Sequence, residues 1–365
     1  MRIAVDAREL GGKPTGVGRY LTELLEEWAG LHSATRHDWR LYAHQAVQVP
    51  DAFEDALRVL PGNGGTLWEQ WTLARALASD RPDVLFAPGY TAPLSTPCPV
   101  ALTVHDVSFI AHPEWYSPRE GFRRRHVTAM AARRARLVLT DSAFSRDEIA
   151  RHLGLRPPRV RVIHLGLRTA NDRAAAPARE PLVLFVGTIL PRRHVDLLVD
   201  AFATRIAPAL PSVRLAVVGE DRMGGGHGFD ARLARLPAGV RSRIALTSYV
   251  DDGALRDLYS RASTFVFLSE YEGFGLTPLE ALAAGVPPIV MDTPVAREIY
   301  GPAARYVPPP PDTAVHLEMA VLDLLTSPAA RQDVLRHASA VVGRYRWELT
   351  AATTLRAIEE AGGAL

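Results

Sequence analysis

Short, unbroken apolar runs recur along this chain, each followed by a loop and a stretch of helical periodicity. In the second half the runs are Leu182–Val186, Arg214–Val218, Ile244–Val250, Thr264–Leu268 and Pro288–Met291. Helices are expected between them over Val195–Thr204, Gly253–Arg261 and Pro278–Ala284. Strands apolar at every position, rather than at every second one, belong to parallel sheets covered on both faces. Strands alternating with helices give right-handed βαβ units and a doubly wound sheet.

The first half repeats the style. Arg2–Val5, Val84–Phe86, Val100–Val104, Leu137–Thr140 and Val160–Ile163 read as strands. Val17–Ala29, Trp68–Ala78, Arg119–Arg134 and Ser145–His152 read as helices. Between the halves, Thr169–Pro181 (TANDRAAAPAREP) lacks apolar periodicity and reads as a linker. With 365 residues to place, the pattern predicts two Rossmann-like α/β domains facing across a cleft. Their expected bounds are 1–170 and 181–345; a tail at 346–365 is helical over Arg346–Ala361, its placement open, with packing back on the N-terminal domain one reading.

Composition removes several kinds of chemistry. Cys98 is the sole cysteine, so neither an intrachain disulfide nor a Cys-cluster metal site can form. Lys13 is the sole lysine, and Pro14 follows it. A Walker A loop is therefore absent, and Schiff-base chemistry would have Lys13 alone. No H-x-H, HExxH or D-x-D occurs, so no metal is expected. A net charge of +2 does not suggest a nucleic-acid partner. The most apolar long stretch, 276–291, holds Glu280 and three prolines, which excludes a spanning helix. Ile3–Val5 already reads as a strand, so no signal peptide is expected and the location is cytoplasmic. A basic stretch spans Arg119–Arg136, including Arg123, Arg124, Arg125, Arg133 and Arg134. At 100° per residue these arginines spread around the helix without an apolar stripe. A solvated surface helix is expected, with weak peripheral membrane contact the second reading.

Ligands of open parallel sheets bind beyond the carboxyl ends of the strands, so the loops there carry the chemistry. The richest is Ser269-Glu-Tyr-Glu-Gly-Phe-Gly-Leu-Thr-Pro-Leu-Glu280. Gly273 and Gly275 flank Phe274 and let the backbone turn sharply against a ligand. Thr277, Pro278 and Glu280 read as a capping box, at N-cap, N1 and N3. The helix start is then an anion site, although capping alone would also explain Glu280. Glu272 precedes the glycines and can accept hydrogen bonds from sugar hydroxyls; its plain alternative is a solvated loop glutamate. Gly187-Thr-Ile-Leu-Pro-Arg-Arg-His194 brings Arg192 and Arg193 to the same end, where guanidiniums suit phosphate. The alternative is an exposed basic pair. Gly11–Gly18 fails as a dinucleotide fingerprint: Leu21 stands where the third glycine belongs, and no acid follows at the expected distance. It remains a flexible loop able to close on a phosphate. His105-Asp106 ends a strand, where an imidazole can bind a hydroxyl or carry a proton, or simply pack, tied by its neighbour.

Together these loops resemble family 4 glycosyltransferases of the GT-B fold. Glu272-Gly-Phe-Gly-Leu-Thr-Pro-Leu-Glu280 is similar to that family's E-x7-E element, continued by Ala281–Val290. Phe185–His194 is similar to its phosphate loop. Gly16-Val-Gly-Arg-Tyr20, His105-Asp106 and Thr140-Asp-Ser-Ala-Phe-Ser145 resemble its N-terminal elements. The resemblance implies metal-free, retaining transfer of a hexosyl unit, with a lean towards mannosyl, from a nucleotide-diphosphate sugar to a glycan or lipid-linked acceptor. The nucleotide sugar is a co-substrate, so no cofactor is implied. Glu280 would bind the ribose, and Glu272 the donor sugar. Arg192 and Arg193 would stabilise the departing diphosphate. Backbone from Gly273 through Phe274, Gly275 and Leu276 to Thr277 would cradle sugar and phosphate, with Gly187 on the facing loop and Gly16 completing the cradle. His105 would contact the sugar, and Tyr249 and Val250 would flank the base. The family usually carries lysine at the position of Arg193 and asparagine or glycine at that of His194. The rival readings are a nicotinamide-dependent oxidoreductase, a non-catalytic nucleotide-sugar-binding protein, and a GT-B phosphorylase or epimerase.

Overall fold

A computed structural model describes residues 1–12, 15–168, 179–223 and 229–363. Lys13 and linker residues 169–178 lie outside the described residues. The chain divides into two compact units, Met1–Gly166 with Tyr345–Leu365, and Leu167–Arg344.

Seven strands are described in the first unit: β1 Arg2–Asp6, β2 Asp38–Ala43, β3 Leu57–Val59, β4 Val84–Ala87, β5 Val100–Thr103, β6 Leu137–Thr140 and β7 Val160–Val162. They pair in parallel in the order β3-β2-β1-β4-β5-β6-β7. Ile3, Ala4 and Val5 are fully buried at the centre, as a strand covered on both faces requires. β2 and β3 escape the apolar-run reading because they carry charge. Asp38 and Arg40 on β2 are partly exposed and ion-paired, and Arg58 on β3 is exposed. The helix Gly16–Gly30 is N-capped by Thr15, whose side chain accepts from the Gly18 N–H at 2.9 Å. Tyr20, Leu21, Leu24, Leu25 and Trp28 form its buried stripe.

The C-terminal helix Trp347–Ala361 belongs to this unit. Trp28 Nε1 donates to the Ala351 carbonyl at 2.9 Å, and Thr350 Oγ1 to that of His164 at 2.7 Å. A Cβ on Gly166 would sit 2.4 Å from Trp347, so the chain passes under that indole only as glycine.

The second unit contributes β8 Leu182–Val186, β9 Arg214–Val218, β10 Ile244–Thr247, β11 Thr264–Phe267, β12 Pro288–Met291 and β13 Arg305–Val307. All pair in parallel, in the order β10-β9-β8-β11-β12-β13. β13, an edge strand reading Arg-Tyr-Val, was invisible as an apolar run. The run Ile244–Val250 is strand only to Thr247, which leaves Tyr249 and Val250 in the following loop. The helix after β8 is regular over Val195–Ala201 and then opens into a π-turn, Phe202–Ile206. Among the described residues, no helix is long and apolar enough to cross a membrane.

Candidate active site

Parallel pairing brings the carboxyl ends of β8, β10, β11 and β12 to one edge of the second sheet. β8 leaves through Gly187, at φ +144°, where a Cβ would lie 2.9 Å from Arg193 Nη1. The turn Pro191–Arg193 then delivers His194 in the left-handed region, φ 46° and ψ 40°. Asparagine and glycine tolerate that conformation best. Here histidine occupies it with its Nε2 on the Glu270 carboxylate.

The turn aims Arg193 across the edge. Its Nε donates to Glu272 Oε1 at 2.8 Å and its Nη1 to the Thr188 carbonyl at 3.1 Å, while its guanidinium lies 5.0 Å over the Phe267 ring. Glu272 Oε1 also accepts from Ser269 Oγ at 2.9 Å. The Glu270 N–H donates to the Arg192 carbonyl at 3.0 Å, locking the two loops together. Burial pushes the Glu272 carboxyl up, but Arg193 and Arg192, with the Arg193 and Ser269 hydrogen bonds, outweigh it and hold the group below its ordinary value. Glu272 is therefore an ionised, oriented carboxylate, and two guanidiniums share its single charge.

The capping box does not form. The helix begins at Leu276 and runs to Ala283, with Gly275 as N-cap at φ +94°. Thr277 lies inside the first turn. Proline is tolerated throughout the first turn, so Pro278 did not fix the start, and a left-handed glycine moved it upstream. Tyr300 Oη donates to the Gly275 carbonyl at 2.8 Å, and a Cβ at that glycine would lie 2.2 Å from the same oxygen. Glu280, relieved of capping, accepts from Tyr259 Oη at 3.3 Å. The amino end of this helix has no side-chain cap and follows directly on the Glu272–Gly275 loop. Phe274 is buried, whereas Tyr249 is 80% exposed in the loop after β10.

Gly16 and His105 lie in the first unit. Gly16 opens its helix, and a Cβ there meets nothing within 4 Å. Gly18, by contrast, would collide with the Glu9 carbonyl at 2.5 Å. His105 is held by Asp141 and not by Asp106. Its Nδ1 is 2.8 Å from Asp141 Oδ2 and its Nε2 3.0 Å from the Pro88 carbonyl. Both partners are acceptors, so both nitrogens are satisfied only in the imidazolium. Burial opposes that charge, but Asp141 and the Pro88 carbonyl raise the pKa above its ordinary value. Asp106 instead accepts from the Ser108 N–H at 2.7 Å and from Tyr90 Oη at 3.0 Å.

The Thr140–Ser145 segment now has a physical reading. Asp141 holds the His105 ring, Ser142 caps the next helix by accepting from the Ser145 N–H, and Ser145 Oγ donates to the His105 carbonyl at 3.1 Å. The sequence analysis quoted Asp141 and Ser269 within their loops without a role of their own, and passed over Tyr259 and Tyr300. Asp141 and Ser269 were legible as polar residues at strand ends. Tyr259 and Tyr300 were not, because they arrive from neighbouring helices.

Two parallel doubly wound sheets, with an arginine pair and an acidic glycine loop at the edge of the second, define a GT-B glycosyltransferase. Anabaena HepE, in a crystal structure with UDP and glucose, superimposes at a TM-score of 0.72 over 98% of this chain and 99% of that one; at 17% identity the likeness concerns the fold. The family profile described as Glycosyltransferase Family 4 matches residues 14–171, and that described as Glycosyl transferases group 1 matches 168–340. The chain belongs to the family 4 glycosyltransferases. O-antigen chain mannosyltransferase B of Escherichia coli is 28% identical over 272 residues, 70% of this chain and 68% of that protein. O-antigen chain mannosyltransferase RfbU of Salmonella typhimurium is 27% identical over 210 residues, 57% of this chain and 56% of its own length. These matches set the oxidoreductase reading aside.

Proposed function

We propose that this glycosyltransferase moves a hexosyl unit, mannosyl in the first instance, from a nucleotide-diphosphate sugar to a glycan or lipid-linked acceptor, with retention and without a metal. The observation that carries the reading is the Arg193–Glu272 pair, with Arg192 beside it, at an uncapped helix start. When the anomeric bond breaks, negative charge builds on the diphosphate. Arg192, Arg193 and the first-turn N–H groups after Gly275 stabilise it, and because they are already oriented, no reorganisation is needed. Glu272, held ionised, accepts hydroxyl hydrogen bonds from the sugar and orients the anomeric carbon. Glu280 reaches the ribose, Tyr249 and Val250 flank the base, and Gly187 and Gly273 let backbone approach the phosphates. Gly16 leaves room for a phosphate in the first unit. His105 faces it with both ring nitrogens engaged, on Asp141 and on the Pro88 carbonyl. The mannosyl choice rests on the two O-antigen mannosyltransferases, and the nucleotide-sugar donor on the UDP and glucose bound in HepE.

The test is a panel of UDP- and GDP-hexoses, read by mass spectrometry for hydrolysis and for transfer to polysaccharide fragments, with and without EDTA. The expected result is turnover of one donor, preferably a mannosyl one, unaffected by EDTA, with the donor's anomeric configuration kept in the product by NMR. An inverted product would remove the retaining mechanism. Loss of turnover with EDTA would remove the arginine-only account of leaving-group stabilisation.

A further inference from the structure

Arg193 arrives at the carboxyl edge of the second sheet with most of its fork committed. Its Nε donates to Glu272 and its Nη1 to the Thr188 carbonyl, while Nη2 makes no hydrogen bond among the described residues. Nη2 is thus the nitrogen left for an incoming phosphate, and its place depends on the backbone that carries the side chain. One residue brackets that backbone. The Glu270 N–H donates to the Arg192 carbonyl at 3.0 Å, and Glu270 Oε1 lies 2.5 Å from Nε2 of His194. The residue before Arg193 and the residue after it are both tied to Glu270, which stands 76 positions along the chain from His194.

Histidine is an awkward residue for this bracket on backbone grounds alone. His194 stands at φ 46° and ψ 40°, where a Cβ crowds the following carbonyl and glycine or asparagine fits more easily. It also opens the helix Val195–Ala201 without capping it through its side chain, the imidazole meeting Glu270 instead. A side chain persists in such a backbone where its surroundings hold it, and such positions gather at functional sites. The holding contact here is a partly buried hydrogen bond to a carboxylate, stronger than one between neutral groups. Glycine would satisfy the turn but could not grip Glu270. We infer that His194 and Glu270 form a positioning pair for the transfer reaction, fixing the backbone from which Arg193 presents Nη2 to the departing diphosphate. They act through Arg193 rather than on the sugar. The inference rests on the reading of Arg193 as a leaving-group residue.

The experiment compares His194→Gly, Glu270→Ala, Glu270→Gln and the double variant His194→Gly/Glu270→Ala in the full chain. His194→Gly should melt at or above the wild-type temperature, because glycine adopts the left-handed backbone freely. Its kcat should nevertheless fall about tenfold or more, with the donor KM within about threefold of wild type. A merely structural role would make activity follow the melt. Glu270→Ala should lose as much kcat, and the double variant no more than either single one, because both remove the same contact. Glu270→Gln, whose side-chain oxygen still accepts from Nε2, should keep most of the kcat. Hydrogen exchange without donor should quicken over Gly187–His194 in His194→Gly and Glu270→Ala alike. Wild-type kcat in His194→Gly, losses that multiply in the double variant, or unchanged exchange over Gly187–His194 overturns the inference. Wild type inert towards every nucleotide sugar, with the exchange differences present, would remove the transfer reading and leave the bracket around Arg193 standing.

Discussion

At the carboxyl edge of the first sheet, Asp6, Glu69, Asp106 and Asp141 stand against Arg8 and the His105 imidazolium; at that of the second, Arg192 and Arg193 stand against Glu272. Both edges belong to the same kind of doubly wound sheet and both carry carboxylates, but the first sets one guanidinium and an imidazole among them, whereas the second sets the adjacent Arg192 and Arg193 beside Glu270 and Glu272. Glycines differ within the units as well as between them: in the first unit Gly18 and Gly166 would meet the Glu9 carbonyl and Trp347. Gly187, Gly219 and Gly275 in the second unit are demanded by the protein itself, since a Cβ would meet Arg193, the Gly187 carbonyl and Tyr300 respectively. Gly16 in the first unit faces open space. The comparison teaches that a strand-end loop takes its ligand preference from the side chains that fold onto it. It also separates a glycine required by packing from one that leaves room for a ligand.

The strongest way to break the comparison is Arg192→Ala. If the second edge stabilises a departing diphosphate, kcat should fall about 100-fold or more, roughly 3 kcal/mol of barrier, with the melt little changed. Donor turnover at wild-type rate would leave the second edge without its proposed role. Next come the glycines. Gly275→Ala forces a side chain into a left-handed backbone against Tyr300 and should cost about 1–3 kcal/mol in a denaturant titration. Gly16→Ala should leave stability within a few tenths of a kcal/mol, or raise it slightly, yet lower donor turnover about tenfold or more. Equal effects of the two substitutions on stability would erase the distinction between the loops.

The smallest effects come from pH, on the order of 1 kcal/mol per group, and they should run in opposite directions in the two units. Burial and the neighbouring Glu69 outweigh Arg8 and push Asp6 up to about 6. His105 lies above its ordinary 6.5. Both groups contribute most at low pH, and their contribution is lost as pH rises, through about 6 for Asp6 and above 6.5 for His105. Glu272 is lowered, so its contribution is complete above its ordinary 4.5 and is lost as pH falls through the depressed value. Hydrogen exchange followed by mass spectrometry should show β1 opening more readily as pH rises from about 4 through 6, and β5 on going further to mildly alkaline pH. The Gly187–His194 and Ser269–Gly275 loops should open more readily in acid. A parallel response in both units would refute the assigned charge states.

The sequence carried the architecture where strands are apolar on both faces. β8, β9, β11 and β12 stood out as runs, and the loops after them located the arginines and Glu272. It failed where charge interrupts the run, as at Asp38 and Arg40 of β2 or in the Arg-Tyr-Val of β13. In the site, residue type and strand-end position found Arg192, Arg193 and Glu272. The same reading gave Glu280 a capping role that Gly275 removes, because a four-residue motif does not reveal which residue adopts a left-handed backbone.

What the amino-acid order determined alone is local: which runs bury both faces, which loops carry charge, and where glycine and proline interrupt. Partnership between distant residues was decided by the folded chain. His105 finds Asp141 and Pro88, Arg193 finds Glu272, and Tyr259 finds Glu280. The reason is that strand order and helix packing set distances across tens of residues, and an electrostatic or hydrogen-bonded contact depends on those distances rather than on separation along the chain.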